Sequence, residues 1–246
     1  MNHQKQNTDT AIKNLSKIIL AIFFIIFFTN IHAQMKNQND SLRYLKNPLY
    51  NRSLEMYDVY KTKHADVIML GNSLTNGGKW NELLGRTNVL EMGIPSDILS
   101  GFLARVNYVF KFNPKIVFIM GGLNDIYNWT PVEEIFSLYV KLVNEIRSKN
   151  IIVVIQSTTY AAKNYGKDYG GTPETNGNRN REVDKLNKLL SEFAKKNNID
   201  YLDVNSLLSR NGYLKDEVTW DGVHFKANAY KVWANEVDKI LKKYRL

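Results

Sequence analysis

The 246-residue chain contains no cysteine. That absence excludes disulfide staples, thiol nucleophiles, zinc knuckles and iron–sulfur ligation, and also the lipid-modified cysteine of a bacterial lipoprotein. Histidine is scarce, with four copies at positions 3, 32, 64 and 224, so a His-rich metal site is hard to build and no metal or cofactor is expected. Proline numbers five and gathers into no linker, and no repeat recurs at a fixed period, so a single domain is expected. The charge is not scarce: 33 Lys and Arg against 24 Asp and Glu give +9. The basic residues are scattered, which fits a solvated surface and not a nucleic-acid groove, so no nucleic-acid partner is expected.

One long apolar run exists, the eleven residues from Ile18 to Phe28. Lys5, Lys13 and Lys17 precede it and Ile31-His32-Ala33 follows it, the layout of an export signal cleaved near Ala33. The run falls short of the roughly 20 residues that a spanning helix needs, so no stable membrane span is expected after processing; a retained anchor is the rival reading. The expected division is a signal peptide over 1–33, a lead-in over 34–63 and one domain over 64–246. Removal of the leader leaves two histidines, His64 and His224.

After a short helical pattern from Ser53 to about Lys63, the chain alternates between two periods. Short apolar runs at 66–71, 88–93, 115–121 and 151–156, with a weaker fifth at 200–204, read as strands. Helical spacing fills 79–85, 96–111, 131–149, 179–197 and 226–243. This alternation predicts a five-stranded parallel sheet covered by helices on both faces. Ligands of such sheets sit beyond the carboxyl ends of the strands, and three of the five strands end in Gly71, Gly93 and Gly121.

The loop after the first strand, Gly71-Asn72-Ser73-Leu74, lacks the Lys-Ser/Thr pair of a phosphate loop and the second glycine of a G-x-S-x-G elbow. Ser73 sits between strand and helix, where backbone N–H groups favour negative charge. A nucleophilic serine needs a base. His64 precedes the first strand and belongs at the wrong end of the sheet, which leaves His224; Asp221, three residues earlier, can turn back through Gly222 and orient the imidazole. Asn124, after the third strand, can aim a neutral amide at a developing oxyanion, and the Gly93 backbone can offer a second donor.

Together, Gly-Asn-Ser73-Leu, Gly93, Gly-x-Asn124-Asp and Asp221-x-x-His224 resemble the four sequence blocks of the SGNH, or GDSL-type, hydrolases over about residues 64–243. The resemblance implies a flavodoxin-like three-layer α/β/α fold and a serine esterase. It implies Ser73 as nucleophile, His224 as base, Asp221 as its orienter, and Ser73, Gly93 and Asn124 as oxyanion donors. Asn72 departs from the family, which usually has Asp there. Lys79-Trp80-Asn81-Glu82-Leu83 and Gly93-Ile-Pro-Ser-Asp97 look most like the branch of platelet-activating-factor acetylhydrolase-like proteins and sialate or other sugar O-acetylesterases.

The expected activity is removal of a short acyl group, acetyl foremost, from a small-molecule or glycan ester outside the cytoplasm. The rivals are a lysophospholipase or thioesterase using the same residues, and a silent glycan-binding module. Substrate contacts are expected from Trp220 and from the long polar segment 158–180, through Tyr160 and Tyr165. The sequence sets no oligomeric state.

Overall fold

Each short apolar run becomes a strand: β1 (Val67–Gly71), β2 (Val89–Gly93), β3 (Ile116–Met120), β4 (Ile152–Gln156) and β5 (Asp200–Leu202). The computed structural model describes residues 42–246, so the export leader expected over 1–33 lies outside the described residues. These five pair in parallel throughout, in the order β2-β1-β3-β4-β5, and a short antiparallel ribbon pairs Ser209–Arg210 with Tyr213–Leu214 apart from the sheet. β1 and β3 are buried at every position, which is why they read as unbroken apolar runs and not as alternation. Strand order reverses between β1 and β3, and a sheet of this order binds its ligand there.

The helices are α1 (Pro48–Val59), α2 (Ser73–Asn76), α3 (Trp80–Leu84), α4 (Leu99–Ala104), α5 (Val106–Phe110), α6 (Leu123–Tyr127), α7 (Val132–Arg147), α8 (Pro173–Lys196), α9 (Val204–Leu208) and α10 (Ala227–Lys243). α4, α7 and α8 pack in series on one face, while α3 and α9 pack against α10 on the other. The result is the three-layer α/β/α architecture. Among the described residues no helix is long and apolar enough to cross a membrane.

Four expectations shift. The helix expected over 96–111 breaks at Arg105, whose φ of −106° leaves the helical range while its guanidinium turns into the core. The pattern placed at 53–63 runs instead over α1, with Pro48 in its first turn and the Asn47 side chain accepting from Leu49 N. α1 belongs to the body, which runs from Tyr44 to Leu246, and not to a lead-in: Tyr50 and Tyr57 are buried, and Tyr50 Oη donates to Gly101 O at 2.9 Å. The long segment after β4 is also shorter than 158–180. Thr172 and Thr175 form a capping box and Pro173 opens α8, so helix begins six residues before the expected start at 179.

Candidate active site

The site begins with a close approach. A Cβ on Gly71 would lie 1.9 Å from Thr75 Oγ1 and 3.0 Å from Met120 O, so glycine is what lets α2 fold back onto β1 beside β3. Asn72 Oδ1 accepts from Leu74 N at 3.0 Å and caps α2, a task its neutral amide oxygen performs as a carboxylate would. Ser73 is therefore the first residue of α2. The far end of that turn is held from two sides: Tyr230 Oη donates to Leu74 O and Trp80 Nε1 to Thr75 O, each at 2.8 Å.

Residues 219–225 form a self-bonded loop ahead of α10. Gly222 N donates to Thr219 Oγ1 at 2.9 Å, and Trp220 N to His224 O at 3.0 Å. Gly222 sits at φ +100°, a conformation that suits glycine, and its turn brings Asp221 back onto His224. Asp221 Oδ1 accepts from Val223 N at 2.9 Å and His224 N at 2.8 Å, and Oδ2 faces His224 Nδ1 at 2.7 Å. Burial pushes the Asp221 carboxyl up, but these hydrogen bonds outweigh it and hold the group below the usual carboxylate range. A carboxylate at Nδ1 fixes the proton there and leaves Nε2 to accept. His224 Nε2 lies 3.0 Å from Ser73 Oγ. The structure thus brings Ser73, His224 and Asp221 into one hydrogen-bonded chain.

Two further groups meet Ser73 in a cleft of about 300 Å³ lined by Asn72, Ser96, Leu123, Asn124, Tyr127, Asn128, Tyr165, Val223 and His224. Asn124 Nδ2 donates to Asp97 O at 2.8 Å, which uses one of its two N–H bonds and fixes the direction of the other. Gly93 is not among the lining residues. Amides along a strand alternate in direction; Ile94 N points inward to Gly71 O at 3.1 Å, so Gly93 N faces the free edge of β2, where the Glu91 carboxylate takes it. The residue in position is Ser96, which sequence reasoning missed. It holds φ at +62° and lines the cleft, and neither its N–H nor that of Ser73 has a hydrogen-bond partner among the described residues.

The strand-end loop carrying Ser96 is clamped by buried charge. Asp97 Oδ1 accepts from Ile98 N at 2.9 Å and Oδ2 from Arg105 Nε at 2.8 Å. Arg105 also donates to Met92 O and Gly71 O, each at 3.0 Å, tying the ends of β2 and β1 together. Asp125 accepts from Leu99 N at 3.2 Å, and complete burial pushes its carboxyl up to about 7.

The expected substrate contacts separate. Tyr165 lines the Ser73 cleft and an adjoining cavity of about 820 Å³, which Trp220 also lines. Tyr160 lies elsewhere, its hydroxyl on Asp184 of α8 in a different concavity, because the chain after β4 turns under α8 before reaching the cleft. Trp129, absent from the sequence reading, stands 55% exposed and shares the Arg179 guanidinium with the ring of Tyr127, which lines both spaces. His64 is remote from Ser73, ahead of β1, with Nε2 2.9 Å from Asp66 Oδ1.

With this geometry in view, residues 69–232 match the GDSL-like Lipase/Acylhydrolase family. The fold is shared with a GDSL-like lipase from Bacteroides thetaiotaomicron, at TM-score 0.65 and 20% identity over 79% of this chain and 98% of that one. An acetylxylan esterase from Geobacillus stearothermophilus superposes at TM-score 0.56 with 16% identity, covering 74% of this chain and 95% of that one. In sequence, the chain is 28% identical over 190 residues to an N-acylneuraminate cytidylyltransferase of Streptococcus agalactiae, a match covering 74% of this chain but 42% of that protein. The chain thus spans less than half the length of the curated relatives it matches. Matched along most of its length and folded around the same α/β/α frame, the chain belongs to the GDSL-like lipase/acylhydrolase family.

Proposed function

We propose that the chain is an exported serine esterase that removes short acyl groups, O-acetyl foremost, from carbohydrate. The observation that carries this reading is the hydrogen-bonded chain from Asp221 through His224 to Ser73, opening on two unpartnered backbone N–H groups. Ser73 Oγ attacks the ester carbonyl as His224 Nε2 takes its proton. The oxyanion that forms lies against the N–H groups of Ser73 and Ser96 and the Asn124 amide. The tetrahedral carbon then collapses, His224 gives its proton to the departing sugar oxygen, and the acyl group stays on Ser73. Water, deprotonated by His224, attacks the acyl-enzyme and releases the acid.

A short acyl group suits a cleft of about 300 Å³ whose walls are mostly polar. A sugar suits the neighbouring cavity, whose wall carries Trp220, 75% exposed, an aromatic face of the kind that packs on the apolar faces of pyranose rings. The export signal expected over residues 1–33 supports a reaction outside the cytoplasm. The test is a p-nitrophenyl ester series from acetate to laurate together with fluorophosphonate labelling. The expected result is a labelled Ser73 and a kcat/KM that falls beyond butyrate. A maximum at laurate would favour a lipid acylhydrolase. Absence of both turnover and label would leave a glycan-binding module.

A further inference from the structure

We infer that the ester substrate carries a carboxylate, and that Arg179 in the cavity beside the Ser73 cleft receives it; the substrate is then the acetyl ester of an acidic sugar. This rests on the esterase reading above and names its substrate class.

Arg179 lies in the first two turns of α8, and the helix is held there by its own buried face. Asn176 Nδ2 donates to Lys163 O at 3.1 Å and to Tyr165 O at 2.9 Å, and Asn180 Oδ1 accepts from Ala161 N at 2.9 Å. The Arg179 guanidinium stacks over two rings, 4.4 Å from the Tyr127 centroid and 5.4 Å from that of Trp129. Stacking fixes the plane of the group and leaves its N–H bonds pointing along that plane. None of them is used. Arg179 takes part in no ion pair and no hydrogen bond among the described residues, and its Nε is buried without a partner. A fixed, planar, unpaired fork of donors is the complement of a carboxylate.

The position relates this fork to the reacting centre. Tyr127, whose ring lies under the guanidinium, lines both the 820 Å³ cavity and the Ser73 cleft, so Arg179 stands about one ring's width from the space the ester occupies. The cavity's own acids do not answer for it. Asp221 is committed to His224 and Val223. Asp168 and Asp216 line the cavity without pairing with Arg179. Lys226, over the Trp220 ring at 5.5 Å, adds positive charge to the lining of the same cavity.

The test measures acetate release from O-acetylated glucuronic acid and O-acetylated N-acetylneuraminic acid, each against its own carboxyl methyl ester. Within each protein variant the readout is the ratio of kcat/KM for free acid over methyl ester, which cancels any general loss of activity. The wild type is expected to favour the free acid of at least one sugar by roughly 10- to 100-fold, chiefly through KM, as loss of a charged hydrogen bond requires. Arg179→Gln should bring that ratio close to one, and Arg179→Lys should leave it between the two. A wild-type ratio near one for both sugars would overturn the inference, as would a preference that survives Arg179→Gln. If no ester is hydrolysed, p-nitrophenyl acetate included, the esterase reading fails by itself. Calorimetric binding of the four compounds to Ser73→Ala, with and without Arg179→Gln, then decides: acid-selective binding lost with Arg179 upholds the carboxylate site, and equal binding overturns it.

Discussion

Ser73 and His224 meet across 151 positions of sequence, and a contact that distant has consequences one side chain at a time. Ser73→Ala should lower kcat by at least about 10³-fold on a p-nitrophenyl ester while circular dichroism and the melting midpoint stay put, because members of such a chain act as a unit. His224→Ala should do the same. His64→Ala should stay within a few-fold of wild type, since its ring is paired with Asp66 ahead of β1, a full strand away from Ser73. Equal losses in the two histidine variants would break the assignment of His224 as the base. The oxyanion donors separate by chemistry. Asn124→Ala should cost roughly 10²–10³ in kcat with little change in KM. Ser96→Gly should retain kcat, because the donor is the backbone N–H and glycine holds φ near +62° without strain. A collapse of kcat in Ser96→Gly would mean that the hydroxyl, not the amide, does the chemistry.

At the scale of elements, Arg105 joins pieces that the sequence presents as separate. Fully buried, it pairs with Asp97 and donates to the carbonyls of Gly71 in β1 and Met92 in β2, so it holds the two strand ends between which the Ser73 and Ser96 loops emerge. Arg105→Met removes one partner of a buried pair and should destabilise by roughly 3–5 kcal/mol in urea unfolding. Adding Asp97→Asn should recover part of that loss, and full additivity of the two would argue against the pair. This residue also marks where sequence reading stops. The strands were legible because sheet covered on both faces demands unbroken apolar runs, and Ser73, Asp221 and His224 because strand-end placement and the scarcity of histidine left few options. Arg105 was not: inside an amphipathic stretch a charge reads as solvent-facing, and only the core reveals a guanidinium turned inward. Ser96 stayed hidden for a related reason. Glycine at the end of β2 advertises a free amide, yet which edge that amide faces depends on strand order and on Glu91.

The whole molecule combines these groups in its response to pH. Burial pushes Asp125 up to about 7, against the pull of the Leu99 amide, and pushes Glu91 up to about 7, against Gly93 N–H, Asn76 and Arg105. An acid raised in the fold keeps its proton after the unfolded chain has released it, so folding grows less favourable as pH rises from the unfolded value near 4 to the folded value near 7. Asp66, Asp221 and Asp238 are shifted the opposite way, and their contribution is lost only as pH falls through the acid range. Between pH 5 and 8 those three are ionised in both states and add no slope. Asp97, pushed up by burial to about 6 against the pull of Arg105, falls in the same window, so three raised acids set the trend. Stability should fall from pH 5 to pH 8, by on the order of 2–3 kcal/mol for each of Asp125 and Glu91 and about 1 kcal/mol for Asp97. Urea unfolding across that range measures it, and a flat or rising profile would contradict it. Asp125→Asn should remove its share of the slope, because the amide keeps an oxygen for Leu99 N but has no proton to lose. Glu91→Gln should remove a similar share, leaving the smaller slope of Asp97 between pH 5 and 6. Both acids sit beside the reacting centre, Asp125 next to Asn124 and Glu91 against Asn76 at the end of α2. The alkaline loss should consequently appear first in the loops that hold Ser73 and Ser96, as faster amide exchange at residues 94–99 than in the β3 and β4 core.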